Sequence, residues 1–412
     1  MALDKLSDVL SAHLDELRNR GSLKGKETVI SGIRPAKGKK GPRYYIEGEG
    51  DKEFIRMNAN NYLGMSLKKE VIKAEERATK EFGVGPGAVR FISGTYVPHL
   101  MLEKKLAQFH KKESAMVFSS AYAAILGILP PLISNETVVI SDELNHNCII
   151  NAIRLARPKD KKIYPHNDVK GLEKAVVESA GSCRRVIIIT DGVFSMRGEH
   201  APLGEIAAIE ERYDPKFEEG IVSVVDDSHG VGAFGATGRG TMEYIGEERV
   251  DILVATLGKA LGVNGGYLVS DAEVVAFLRE TSPFYIYSNP ITASEASAAL
   301  KALEILDSPA GKKILDYLRF ITARLEQGLI DLEYEVIRGD HPIVPVMIRD
   351  INKTDELVAY LKQNGILVTG LNFPVVPSGD EEIRFQLCAD HTESDIDYVL
   401  GVLKSYRNKR SS

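Results

Sequence analysis

No stretch of this chain approaches the ~20 consecutive apolar residues that a membrane-spanning helix needs, which excludes a helical membrane protein. Cysteine is sparse. The three, Cys148, Cys183 and Cys388, stand far apart and show none of the short spacings of metal ligands. That excludes a disulfide-stapled scaffold and a cysteine-held metal, and predicts free, buried thiols in a reducing compartment. Positive charge is not in excess either. The net charge is −6, the wrong sign for bulk nucleic-acid binding. Two small basic clusters, Lys37-Gly38-Lys39-Lys40 and Arg407-Asn408-Lys409-Arg410, read as solvated turns and ends. Internal repeats and low-complexity tracts are missing. The amphipathic start over residues 1–20 lacks the apolar core of a signal peptide, so the cytoplasm is the expected compartment.

What the chain does have is an ordinary globular composition, 44% hydrophobic over 412 residues, long enough for one large and one smaller domain. Short apolar runs at 115–119, 138–141, 186–190, 221–225, 252–255 and 266–269 read as strands and alternate with helical patterns. This alternation predicts an α/β fold, a mostly parallel sheet covered by helices on both faces. After Thr292 the pattern changes. Helical stretches at 293–306 and 312–333 lead into strand-like runs at 344–348, 366–369 and 382–387, closed by a helix from 393 to about 406. The reading is therefore an N-terminal arm (1–55), a large domain (56–300) and a smaller α+β domain (301–412).

The segment Asp251-Ile252-Leu253-Val254-Ala255-Thr256-Leu257-Gly258-Lys259-Ala260-Leu261-Gly262 carries the strongest chemical signal. An arbitrary lysine is a solvated surface residue. Here an apolar strand delivers Lys259 into a turn of small residues, at the sheet edge where open α/β sheets bind ligands. Thr256, three residues earlier, offers a hydroxyl suited to a phosphate oxygen. A desolvated lysine loses its proton readily and attacks an aldehyde, which points to pyridoxal phosphate. A second run, Ile221-Val222-Ser223-Val224-Val225-Asp226-Asp227-Ser228-His229-Gly230, ends in an acid placed to hold a pyridine nitrogen protonated. Alone, Asp226 and Asp227 would read equally well as caps of the next turn.

Taken together, VVDDSHGVGAFG, TLGKALG and TDGVFSMRG resemble the α-oxoamine synthases, the acyl-CoA-dependent branch of fold-type I pyridoxal phosphate enzymes. The likeness spans nearly the whole chain. It includes Asn60–Gly64 (NNYLG), VRFISGT with His99, SSAY at 119–122, SDELNH at 141–146, YSN at 287–289, IRFQ at 383–386 and His391-Thr392. Among these enzymes the chain is most similar to the glycine C-acetyltransferases (2-amino-3-ketobutyrate CoA ligases), notably in VRFISGT, TDGVFSM, VVDDSHGVG, YSNP and PVVPSG.

The resemblance implies roles residue by residue. Lys259 would attach the cofactor and Asp226 would partner its ring nitrogen. The amides of Ala121 and Tyr122, with Thr256, would hold its phosphate, joined by Ser288 and Asn289 from a second subunit. His146 would stack on the ring and touch substrate. His229 and Ser195 would meet the phenolic oxygen region, with His146 or His229 also available as a proton relay. Arg384 would clamp an amino-acid carboxylate, aided by Asn60. The implied reaction joins an amino acid to an acyl-CoA in a homodimer with shared active sites. A basic patch beside a CoA phosphate is a second reading of the basic clusters.

Five residues depart from the family pattern: Ile125, Arg197, Asn147, Cys148 and Asp390. They leave open a relative using alanine or serine with a longer acyl group, of the 8-amino-7-oxononanoate synthase or serine palmitoyltransferase kind. A rival from another class rests on Gly230-Val231-Gly232-Ala233-Phe234-Gly235, which satisfies the dinucleotide fingerprint of a nicotinamide dehydrogenase. Thr237-Gly238-Arg239-Gly240 follows instead of a helix, which counts against it. A non-catalytic cofactor-binding regulator is the other alternative, disfavoured by the presence together of Lys259, Asp226 and Arg384.

Overall fold

The computed structural model describes residues 2–20, 23, 27–373 and 375–411. Met1 of the expected arm and Pro374 of the PVVPSG segment lie outside these residues. The large sheet has seven strands, β1 (Ser114–Phe118), β2 (Thr137–Asp142), β3 (Asp160–Tyr164), β4 (Arg185–Asp191), β5 (Ile221–Asp226), β6 (Ile252–Thr256) and β7 (Gly266–Ser270). Their spatial order is β1-β7-β6-β5-β4-β2-β3. All neighbouring pairs are parallel except those of β7, which runs antiparallel to both β6 and β1. The wholly covered sheet explains the unbroken apolar runs. In β4, Val186 and Ile188 join the core on one face while Ile187 and Ile189 join the core on the other, each burial stabilising by roughly 1.5–3 kcal/mol.

Strand β3 had no counterpart in the sequence reading. Its sequence, DKKIY, is charged and largely solvent-facing, as suits an edge strand protected from pairing with another chain, so it lacks an apolar signature. The helix expected over 293–306 is found at Ala293–Leu306, started by a capping box in which Thr292 and Glu295 bond each other's backbone N–H groups. A long helix, Pro309–Asp331, then leads to a four-stranded antiparallel sheet of Glu335–Val336, Ile343–Met347, Glu382–Gln386 and Thr369–Leu371 in that order. The helix Glu393–Ser411 follows it. Among the described residues no helix is long and apolar enough to cross a membrane.

Candidate active site

The carboxyl ends of β2, β4, β5 and β6 converge on a cavity of about 260 Å³. Of the residues singled out in the sequence, Ala121, Tyr122, His146, Ser195, Asp226, His229, Thr256 and Lys259 all line it. Asn60, Arg384, Ser288 and Asn289 do not.

One wall is the start of the helix Ala121–Leu132. Ser120 caps it by accepting the N–H of Ala123 at 3.0 Å, and the amides of Ala121 and Tyr122, the first two of the helix, stand at the cavity edge. Such a terminus favours an anion. Gly266 allows the close approach of β7 here, since a Cβ on it would lie 2.1 Å from Ala121 N. Thr256 spends its hydroxyl on the turn that presents Lys259. It donates to Gly265 O at 3.1 Å and accepts from Gly258 N at 3.0 Å.

Asp226 is 6% exposed. Its Oδ1 accepts the N–H of Ser228 at 3.1 Å, and its Oδ2 lies 3.7 Å from Cys148 Sγ. Strand alternation sends Asp227 the other way. There it accepts the N–H and O–H of Thr241 at 2.8 and 2.5 Å. Burial raises its pKa to about 7. Lys259 has a pKa lowered by desolvation, opposed by Asp226 and Asp191, which eases loss of its proton.

Asp191 went unassigned in the sequence, although it stands at the end of β4 in register with Asp226. A strand-end rule would have found it. It lines the cavity and accepts the backbone N–H of His146 at 3.0 Å; burial, then the nearby Asp226, pushes its pKa well up. Ser228, whose hydroxyl is buried without a partner, also lines the cavity and was not singled out. Arg384 arrives from the small sheet and donates to Ser195 O at 2.8 Å, while its Nε is buried and unpartnered. Asn60 Oδ1 is held by Gln386 Nε2 and lies 3.3 Å from Tyr62 Oη, leaving its amide nitrogen as the end that can reach a carboxylate.

The departures sort by contact. Ile125 is fully buried in the core behind the helix and does not line the cavity, because the helix turns it inward. Asn147 Oδ1 accepts from Tyr122 Oη at 2.9 Å. Cys148 Sγ lies 2.9 Å from His146 Nδ1. Arg197 pairs with Asp380 at 2.6 Å, and Asp390 packs against Gly64. Cys148 and Cys388 are buried thiols, whereas Cys183 is half-buried; all three are free. The glycines of 230–235 form turns closed by Gly232 N–H to Gly238 O at 2.8 Å, with the next helix at Thr241–Ile245. No helix opens at the last glycine, as a dinucleotide site requires. Among the described residues no group of three potential ligands could hold a metal.

These parts suit pyridoxal 5'-phosphate: an amine for its aldehyde, an acid for its ring nitrogen, free amides for its phosphate. Comparison with known proteins agrees. The aminotransferase class I and II family matches residues 52–403. The chain is 38% identical over 398 residues to a 2-amino-3-ketobutyrate coenzyme A ligase, mitochondrial, of Bos taurus, covering 96% of this chain and 91% of that one. It is 34% identical over 395 residues to an 8-amino-7-oxononanoate synthase of Thermosipho melanesiensis, covering 95% of each. A serine palmitoyltransferase structure from S. paucimobilis with a bound PLP–myriocin aldimine superposes with a TM-score of 0.86 at 27% identity, over 98% of this chain and 97% of that one. The chain belongs to the α-oxoamine synthases, fold-type I enzymes that depend on pyridoxal phosphate and use an amino acid and an acyl-CoA.

Proposed function

We propose that this α-oxoamine synthase condenses glycine with acetyl-CoA to give 2-amino-3-ketobutyrate and CoA, in a homodimer with shared active sites. The observation that carries the reading is Arg384, fixed at the cavity edge by Ser195 O with a buried, unpartnered Nε. An isolated buried guanidinium N–H is costly, and a substrate carboxylate satisfies it. Glycine is supported by the motifs shared with glycine C-acetyltransferases.

Each residue then has a task. Arg384 and the amide of Asn60 bind and orient the carboxylate. The amides of Ala121 and Tyr122 would bind the phosphate, and Asp226 would hold a proton at the ring nitrogen. Bound there, pyridoxal phosphate supplies the electron sink for an α-carbanion. Lys259 would remove the α-proton through its amine, and His146 would cover the ring. The α-carbon would then bond to the acyl carbon as the acyl C–S bond breaks, and the proton taken up by Lys259 would be available to CoA leaving as the thiol.

The second subunit is supported by exposed Phe91, Ile92, Val97, Leu100 and Met101 and by Tyr287, which precedes Ser288 and Asn289, since apolar surface of this kind marks an interface. Ser288 and Asn289 stand outside their own chain's cavity, as residues serving a partner would. A reducing, cytoplasmic setting suits the three free cysteines.

CoA release measured for glycine, alanine and serine against acetyl-, succinyl-, pimeloyl- and palmitoyl-CoA tests the assignment. Glycine with acetyl-CoA is expected to give the highest kcat/KM. A preference for alanine with pimeloyl-CoA, or serine with palmitoyl-CoA, would replace it by the corresponding family activity.

A further inference from the structure

Tyr62 takes no part in the chemistry described above, yet it is wholly buried with its hydroxyl 2.8 Å from Nδ1 of His229. Of its other polar neighbours, Arg384 offers only N–H donors and Gln386 faces it as a donor, and a further acceptor, Asn60 Oδ1, is farther, at 3.3 Å, and already accepts from Gln386 Nε2. A phenol has one proton to give. The shorter contact, to an imidazole nitrogen, is the better acceptor for it. On the opposite side His341, from the turn before Ile343–Met347, donates Nε2–H to the backbone carbonyl of His229 at 2.8 Å. Its Nδ1 accepts the N–H of Ile343 at 3.2 Å. The Tyr62 and His341 rings meet edge to face at 5.2 Å. His229 is thus gripped from the N-terminal segment and from the C-terminal sheet at once.

We propose that Tyr62 is a positioning residue that sets the tautomer of His229: the phenol donates to Nδ1, and the single imidazole proton sits on Nε2, at the cavity. His229 is then a fixed donor to the phenolic oxygen of the cofactor, and the proton-relay role is left to other groups. The surroundings keep the ring neutral. Burial disfavours its charged form, and Lys259, His341, Arg384 and His146, the titratable and cationic groups facing it, act in the same direction, so its pKa lies well below the usual histidine value. The phenol stays protonated because burial raises its pKa. The inference rests on the pyridoxal phosphate assignment but not on the choice of amino acid or acyl group, so its test uses neither substrate.

The test is a visible-absorption pH titration of the cofactor-loaded protein for wild type, Tyr62→Phe, His229→Gln and the double variant, with a thermal melt of each. Losing the Nε2 donor raises the proton affinity of the phenolic oxygen, so the midpoint in Tyr62→Phe is expected to rise by about 0.5–1 pH unit. In the His229→Gln background the same change adds nothing. A midpoint unmoved by Tyr62→Phe, with or without a lower melting temperature, overturns the proposal by leaving Tyr62 a packing role. Equal shifts in both backgrounds overturn it as well. Should Tyr62→Phe fail to fold or retain cofactor, the tautomer is read directly in the cofactor-free wild type by ¹⁵N NMR of labelled histidine, with His229 assigned by its loss in His229→Gln. A bare Nδ1 and protonated Nε2 are expected, and a protonated Nδ1 refutes the assignment.

Discussion

Replacing Asp226 by asparagine, and separately Asp227 by asparagine, divides the chemistry of this site from its architecture. The first change keeps the side chain's shape, 6% exposed between Ser228 N and Cys148 Sγ, but removes the carboxylate proposed as the partner of the ring nitrogen. Stripping one partner from a buried charged pair costs about 3–5 kcal/mol, which at 1.36 kcal/mol per decade is a loss of about 10²–10⁴-fold in kcat/KM. Asp227 does not border the cavity, and its carboxyl bolts the turn to Thr241. Asparagine there leaves the rate near wild type and costs about 1–3 kcal/mol of stability. The pH dependence differs too. The Asp227 pKa rises from 3.8 to about 7 through burial, so the unfolded chain releases this proton before the folded one does. Folded stability therefore declines on this account as pH climbs from about 4 through 7, by at most about 4 kcal/mol. Asparagine abolishes that slope. Thiol release from acetyl-CoA under saturating glycine measures the rates, and urea melts at pH 5 and pH 8 measure the slope. Equal rate losses in the two variants would refute the assignment of the ring-nitrogen partner, and an unchanged slope in Asp227→Asn would refute the account of the buried acid.

Lys259→Ala is expected to abolish turnover while the protein still folds, and a borohydride-fixed covalent cofactor adduct in that variant would sink the lysine's role. A mixed dimer of Lys259→Ala chains with chains disabled at Ser288 and Asn289 should hold one site with both lesions and one with neither. It would then regain up to about half of wild-type activity per dimer; no recovery in heterodimers verified by mass, with both parents inactive, would refute the shared site. His166 has its pKa raised to about 9, where burial opposes protonation but Asp142 at 3.0 Å and Glu199 at 3.4 Å outweigh it. Its stabilising contribution is full below its unfolded value of 6.5 and is lost as pH rises through about 9. His166→Gln should flatten the stability profile over that window in thermal melts, and a profile identical to wild type would dismiss the ion pairs as a source of stability.

Much of the site was legible because its parts are local. Lys259 announces itself through an apolar strand and a small-residue turn, and Asp226 through a strand that ends on it. The capped helix after Ser120 is a short-range feature as well. The partners that act across long chain separations were not legible in the same way. Ser195 and Arg384 are 189 residues apart, and Tyr62 and His229 are 167 apart. His341 left no motif at all, because it acts through a backbone carbonyl that any residue at that position would supply.

The sequence by itself determined the succession of strands and helices apart from the charged edge strand β3, the strand-end placement of lysine and acid, and hence the cofactor chemistry, since hydrophobic periodicity and turn composition operate over a few residues. Tertiary structure alone decided the antiparallel insertion of β7 between β6 and β1, the inward turn of Ile125, and the grip of Tyr62 and His341 on His229. Those outcomes depend on which surfaces bury one another and on where buried polar atoms find partners. A one-dimensional pattern leaves both undetermined until the chain has packed.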